Sequence, residues 1–287
     1  MWIFLALVTA IVTSINAIIF KKLATRVQYL GLGVGQILGS MPFLALSLLW
    51  YWPVRIEPLF WVGLLGTSFL NVFATVFVFR AITLEDISFL APIAAFNPLL
   101  TLFVSFIALG EYPSLLGIMG IVLIGFGATL LGREEGKATH LGLMQFFRKR
   151  GVRLTLAAQG IWAVTPAFEK IALQSTNPEN PALLAFLSSV IIPIGMIPFM
   201  YREKKKILKQ LTHFSPVFLF IGFISTLSVL AAFTAYLQTN LGYVAAIFRM
   251  NIFFTMILAA LFLKEKIDMS RLGAVIFMFV GVLLLAL

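Results

Sequence analysis

Residues 245–265 read AAIFRMNIFFTMILAALFLKE, and residues 91–111 read APIAAFNPLLTLFVSFIALGE. Set against each other without gaps, they share Ala91/Ala245, Ile93/Ile247, Asn97/Asn251, Thr101/Thr255, Leu109/Leu263 and Glu111/Glu265. Each is apolar over about the 20 residues that a helix needs to cross a bilayer. Only the second copy carries an arginine, Arg249, inside its apolar run. A charge there costs about 2.5 kcal/mol or more to insert, so it needs a function or a partner.

The repetition extends outward from this pair. FVFRAITLEDISF (77–89) precedes the first copy and AAFTAYLQTNLGY (231–243) the second, with Phe79/Phe233 and Ala81/Ala235 in the same register. Glycine-punctuated runs follow, LLGIMGIVLIGFG (115–127) and RLGAVIFMFVGV (271–282), and FKKLA (20–24) answers FEKIA (168–172). Matches in one order over both halves point to an internal duplication. The chain has 287 residues, 61% hydrophobic and 11% charged, with a mean hydropathy of +1.05. Soluble domains carry about 25% charged residues. The apolar runs do not alternate as barrel strands would.

The expected fold is therefore an all-α integral membrane protein of ten transmembrane helices. They fall near 3–20, 32–52, 59–79, 87–109, 114–132, 154–173, 182–200, 216–238, 243–263 and 271–287. Residues 1–136 form the first five-helix repeat, 137–153 a basic linker and 154–287 the second repeat. Five is odd, so the second repeat enters the membrane with opposite orientation. Such inverted repeats are a transporter architecture that rocks around a midplane site.

The net charge of +10 lies mostly in alternate connections: Lys21, Lys22 and Arg26; Arg80; the 133–153 stretch; Arg202 to Lys209; and Lys264, Lys266 and Arg271. The opposite side has Arg55 and Lys170. The bias sets orientation and places both termini outside the cytoplasm of a multi-pass protein, expected in the cell (plasma) membrane. The same residues face anionic headgroups rather than nucleic acid, since no folded domain presents them. Within 133–153, Leu141, Leu143, Met144, Phe146 and Phe147 interleave with Arg148, Lys149 and Arg150. That pattern fits either a short helix on the membrane surface or a solvated linker. MWIFLALVTA has no basic stretch before its apolar run, so no cleavable signal peptide is expected. The chain has no cysteine, which rules out disulfides and thiolate chemistry.

The duplicated blocks resemble the drug/metabolite transporter superfamily, in its ten-helix EamA-like branch. The likeness rests on Ala81, Asn97-Pro98, ALGE (108–111) and the glycines of 117–127, repeated as Ala235, FLKE (262–265) and Gly273 to Gly281. GIWAVTPAFEKIAL (160–173) is similar to the family's tryptophan-bearing opening helix. The resemblance implies transport of a small metabolite, an amino acid or related compound, commonly by export. Two features depart from it. Pro98 has Ile252 as its counterpart, and many relatives place both termini in the cytoplasm.

Polar residues inside apolar spans are the candidate substrate-binding set: Asn97, Thr101, Trp162, Glu169, Tyr236, Arg249, Asn251 and Thr255. Asn97 and Thr101 stand four apart, as do Asn251 and Thr255, so each pair shares a helix face. They serve either substrate binding or hydrogen bonding between and within helices. Arg249 lies about 200° around a straight helix from Asn251, so both face one cavity only if the helix breaks or rotates there. It binds an anionic substrate group, pairs with Glu169, or snorkels to the headgroups. Trp162, Pro166 and Glu169 share a face. Glu169 is the carboxylate placed within a span, and a coupling proton would use it. Glu111 and Glu265 stand at tight turns and are expected to serve those turns. Gly31, Gly35 and Gly39 are spaced for close helix packing.

The two histidines, His140 and His213, fall in basic loops, and no metal-ligand cluster or carboxylate pair lies within the spans. An enzyme is not expected, nor are a cofactor or a metal. No nucleotide-binding loop is present, which argues against ATP-driven transport. A secondary transporter is the expected function, with a small-molecule substrate, the bilayer, and a proton or exchange substrate as partners. The alternatives are a nucleotide-sugar or phosphometabolite exchanger and a passive channel. Oligomeric state is left open.

Overall fold

The computed structural model describes residues 1–50, 55–82, 84, 90, 93–94, 96–131, 148–263 and 272–287. The helices are α1 (Trp2–Leu23), α2 (Tyr29–Ser47), α3 (Pro58–Ile82), α4 (Asn97–Leu109), α5 (Leu115–Leu131) and α6 (Arg150–Gln174). There follow α7 (Pro181–Met200), α8 (Lys204–His213), α9 (Ser215–Gln238), α10 (Leu241–Phe248), α11 (Asn251–Leu263) and α12 (Leu272–Ala286). A two-residue ladder pairs β1 (Arg55–Ile56) antiparallel with β2 (Thr176–Asn177). Among the described residues, six helical stretches are long and apolar enough to cross a membrane: Trp2–Leu23, Tyr29–Trp50, Pro58–Val78, Pro181–Met200, Ser215–Gln238 and Leu241–Phe262. The shorter apolar helices are Asn97–Leu109, Leu115–Leu130 and Gly273–Ala286.

Helices lie over most of the ten expected segments, within a few residues of their bounds. Four differences have physical causes. First, α6 begins at Arg150 rather than 154. Val152 is fully buried against Ala81, Leu90 and Ile93, so the end of the basic linker is drawn into a helical core. Residues 132–147 of the linker, with its expected surface helix, lie outside the described residues, as does Glu265.

Second, the expected helix 87–109 restarts at Asn97. Phe96 is a turn residue whose N–H donates to Ile93 O at 3.3 Å, while Leu99 N–H donates back to Phe96 O at 3.1 Å. Pro98 contributes no N–H and fits a first helical turn. Third, the expected continuous helix 243–263 is broken at the matching place. Arg249 N–H donates to Ala246 O at 3.0 Å, Met250 to Ile247 O at 2.9 Å and Ile252 to Arg249 O at 3.1 Å. These are three-residue closures that tighten α10 to its end before α11 restarts at Asn251. The second break needs no proline, since Ile252 occupies that position.

Fourth, α8 is a short amphipathic helix where a loop was expected. Ile207 is buried, and Leu211, four residues on, packs against the core of α2 and α9. Gln210 receives the Gln28 N–H at 3.4 Å and donates to Arg26 O at 3.0 Å, which fixes the α1–α2 connection.

Contacts sort the chain into two compact units, Met1–Val72 with Thr165–Gln238, and Phe73–Val164 with Thr239–Leu287. Each unit draws on both sequence halves. In the first unit α2 meets α9 backbone to backbone. A Cβ on Gly35 would fall on the Phe218 ring, one on Gly39 on the Phe218 carbonyl, and one on Gly222 on the carbonyl of Gly39. The GxxxGxxxG spacing thus serves helix packing. In the second unit α5 packs along α12. A Cβ on Gly120 would stand 2.7 Å from Gly281 O, and one on Gly127 would stand 2.5 Å from Ala274 O. The register that sets Asn97 against Asn251 also exchanges these two contacts.

Candidate functional site

The site in the first unit begins with two glycines on α3. A Cβ on Gly63 would lie 2.5 Å from Phe168 O, and one on Gly66 would lie 2.5 Å from the Phe168 ring. Without side chains there, α3 settles against α6. The next residue, Thr67, then donates its hydroxyl to Glu169 Oε1 at 2.9 Å. One turn further, Asn71 Nδ2 donates to Thr67 O and Thr67 Oγ1, each at 3.1 Å. The relay Asn71–Thr67–Glu169 orients the carboxylate through Oε1.

That carboxylate stands on the wall of a cavity of about 560 Å³ lined by residues of α1, α2, α3, α6, α7 and α9. A second polar group in the lining is built from α1, α2 and α9. Asn16 Nδ2 and Gln36 Nε2 both donate to Ser225 Oγ, each at 2.9 Å. Asn16 Oδ1 and Ser188 Oγ are buried with no hydrogen-bond partner, and both residues line the cavity. Phe20, Phe233 and Tyr236 supply an aromatic part of the wall. A buried acceptor without a partner is costly, so its presence on a cavity wall points to a ligand or water that completes it.

Of the sequence candidates, Glu169 and Tyr236 come together on this wall. The other six belong to the second unit, and the cavity lining does not include them. There, Asn97 is buried and its Nδ2 donates to Gln159 O at 2.9 Å, tying α4 to α6. Thr101 donates to Asn97 O of its own helix at 3.0 Å. Trp162, Arg249, Asn251 and Thr255 are partly buried, and the first three are engaged by neighbouring groups. The break at Arg249–Met250 removes the straight-helix geometry on which the 200° separation of Arg249 and Asn251 rests.

The sequence reading missed Asn16, Gln36, Thr67, Asn71, Ser188 and Ser225. The signal was present: Asn16, Gln36 and Asn71 are carboxamides inside apolar runs, as Asn97 is. They stand outside the duplicated block, and so drew no notice.

Glu111 was expected to serve its own turn; its side chain instead reaches the start of another helix. Gly110 takes φ 67° to end α4, and Glu111 Oε2 then accepts the Leu241 N–H at 2.9 Å, at the first turn of α10. Asn240 Oδ1 accepts the Gly242 N–H beside it. A carboxylate at a helix N-terminus satisfies a free donor and opposes the helix dipole. Glu111→Ala is expected to cost about 1–2 kcal/mol, and Glu111→Gln to restore part of it, read as the melting temperature of the purified protein.

The family model of the EamA-like transporter family matches residues 1–133 and 149–287. The chain belongs to that family and so to the drug/metabolite transporter superfamily; it is an integral membrane transporter of a small molecule. Members of the family are transporters rather than enzymes. A solved crystal structure shares the fold with a TM-score of 0.77 at 13% identity, over 100% of this chain and 98% of the other. No curated protein matches the chain.

Proposed function

We propose that the protein is a secondary transporter that moves a small polar metabolite, an amino acid or related compound, out of the cell by alternating access. The observation that carries this reading is the first unit's cavity, whose lining includes Glu169 and the unpartnered Asn16 Oδ1 and Ser188 Oγ. The substrate completes these groups, and Glu169 exchanges substrate for a proton or for a second substrate molecule. Ten spans in two inverted repeats provide the frame. The matched breaks before Asn97 and Asn251, and the exchangeable α5–α12 contacts, support that arrangement. Both fit helices interrupted near the midplane. A phosphorylated substrate is disfavoured, because the described wall has no basic residue.

A thermal-stability screen over amino acids, amines, sugars and nucleotides is expected to find a stabilising compound, since a ligand of the folded state raises its melting temperature. Ser188→Trp fills the cavity and is expected to weaken that compound's binding and its counterflow in proteoliposomes by at least about tenfold, one decade being about 1.4 kcal/mol. Unchanged binding and counterflow would place the site elsewhere.

The Lys/Arg bias predicts the orientation. A reporter fused after Leu287 is expected to read non-cytoplasmic, and one within 133–153 cytoplasmic. The reverse pair of signals contradicts the orientation.

A further inference from the structure

We infer that the cavity recognises its substrate through a protonated primary or secondary amine, and holds no place for a carboxylate or phosphate. The inference rests on the cavity being the transport site and narrows the proposed class, amino acids and related compounds, to amines that lack the carboxylate.

Charge gives the first argument. Among the described residues, Glu169 is the one charged side chain on the wall. An anionic group drawn from water into this cavity meets a carboxylate and no cation, so its desolvation is uncompensated. An ammonium meets an opposite charge whose Oε1 is already fixed by Thr67 at 2.9 Å.

Hydrogen-bond polarity gives the second. Several of the wall's donors are turned into the protein. Asn16 and Gln36 give their amide N–H groups to Ser225, and Asn71 gives its own to Thr67. The hydroxyls of Thr13, Ser40 and Ser189 go to the carbonyls of Thr9, Ile37 and Phe186, at 2.7, 2.7 and 2.6 Å. Three groups of the lining stand out: Asn16 Oδ1, a buried acceptor without a partner, Ser188 Oγ, an unpartnered hydroxyl that donates or accepts, and the Glu169 carboxylate, which accepts. Two of the three only accept, which favours a ligand that donates. An ammonium carries up to three N–H donors and no acceptor.

The third argument is the body of the ligand. Phe20, Phe233 and Tyr236 line the cavity, and aromatic rings attract a cation and cover an apolar stem. A cavity of about 560 Å³ falls in the range of small-molecule sites, roughly 300–1,000 Å³.

Charge and donor count are separable, which makes the inference testable. Primary monoamines, aliphatic and aromatic, are compared with their α-carboxylated and N-trimethylated counterparts in titration calorimetry on the purified full chain. Phenylethylamine, phenylalanine and trimethyl(phenylethyl)ammonium form one such set. At least one amine is expected to bind. Its carboxylated counterpart is expected to bind at least about tenfold more weakly, because the acid has no cation, and the trimethylated one similarly, because its charge has no N–H. Glu169→Gln is expected to lose amine binding by a similar factor, with Glu169→Asp recovering part of it. Equal or tighter binding of the amino acid, undiminished binding by Glu169→Gln, or no binding by any amine overturns the inference. A neutral or anionic ligand that Ser188→Trp displaces leaves the transport site standing while the amine chemistry fails. Glu169-dependent amine binding that Ser188→Trp leaves intact, without counterflow, upholds the amine chemistry and refutes the transport reading.

Discussion

Glu169→Gln is expected to lower saturable transport about 100-fold while the folded protein keeps a melting temperature within a few degrees of the wild type. The glutamine has the same shape, and its Oε1 still accepts the Thr67 hydroxyl that now holds the carboxylate at 2.9 Å. Packing of α3 on α6 at Gly63 and Gly66 is untouched. What disappears is the one charge on the described cavity wall. A hydrogen bond to a charged group is worth about 1.5–3 kcal/mol, and each 1.4 kcal/mol is about a factor of ten. The upper end of that range gives the expected loss. The amide also has no proton to exchange, so any coupling through this group stops with it. Counterflow and gradient-driven flux in proteoliposomes report both effects. Wild-type rates in the glutamine variant would remove Glu169 from the transport cycle.

The largest expected effect on stability is at Gly39. Gly39→Val is expected to destabilise the protein by about 3 kcal/mol, near the top of the usual range for overpacking. A Cβ there falls on the carbonyl of Phe218, and Gly222 meets the Gly39 carbonyl from the other side. Backbone cannot move aside as a side-chain tip can, so α2 and α9 must separate along the whole contact. That contact carries Ser225, which joins Asn16 to Gln36, so ligand binding is expected to fall with stability. Gly160→Ala is the control. Nothing lies within 4 Å of a Cβ at that position in α6, and alanine gains about 0.8–1 kcal/mol of helix propensity over glycine. Melting temperatures moving in opposite directions for the two variants are the expected result. A tolerated valine at Gly39 would mean that the helices do not approach as closely as described.

The helices were legible in the sequence because apolar length is a strong signal in a membrane. The breaks were not. Pro98 gives a local reason for the first, yet nothing in RMNIF (249–253) announces the second, whose turn is set by where its N–H groups find carbonyls. The helix α8 was hidden by its lysines, since only Ile207 and Leu211 mark its inner face. The duplication led attention to Asn97, Thr101, Asn251 and Thr255. The structure shows Asn97 tying α4 to α6 and Thr101 bonding its own helix. Glu169 was legible because a carboxylate in a span is rare. Its neighbours Thr67, Asn71, Asn16 and Ser225 were not, because tertiary packing brings them together from α1, α3 and α9. Small polar residues are common in membrane helices, where they bond backbone or neighbours. Spacing alone does not tell those roles from a binding wall.

The most direct test of the central claim is a structure of the full chain with a transported ligand bound. The account predicts ligand density in the first unit's cavity, with a donor on Glu169 and a second contact at Asn16 Oδ1 or Ser188 Oγ. Density on Asn251 and Thr255, with the Glu169 carboxylate facing no ligand, would contradict it.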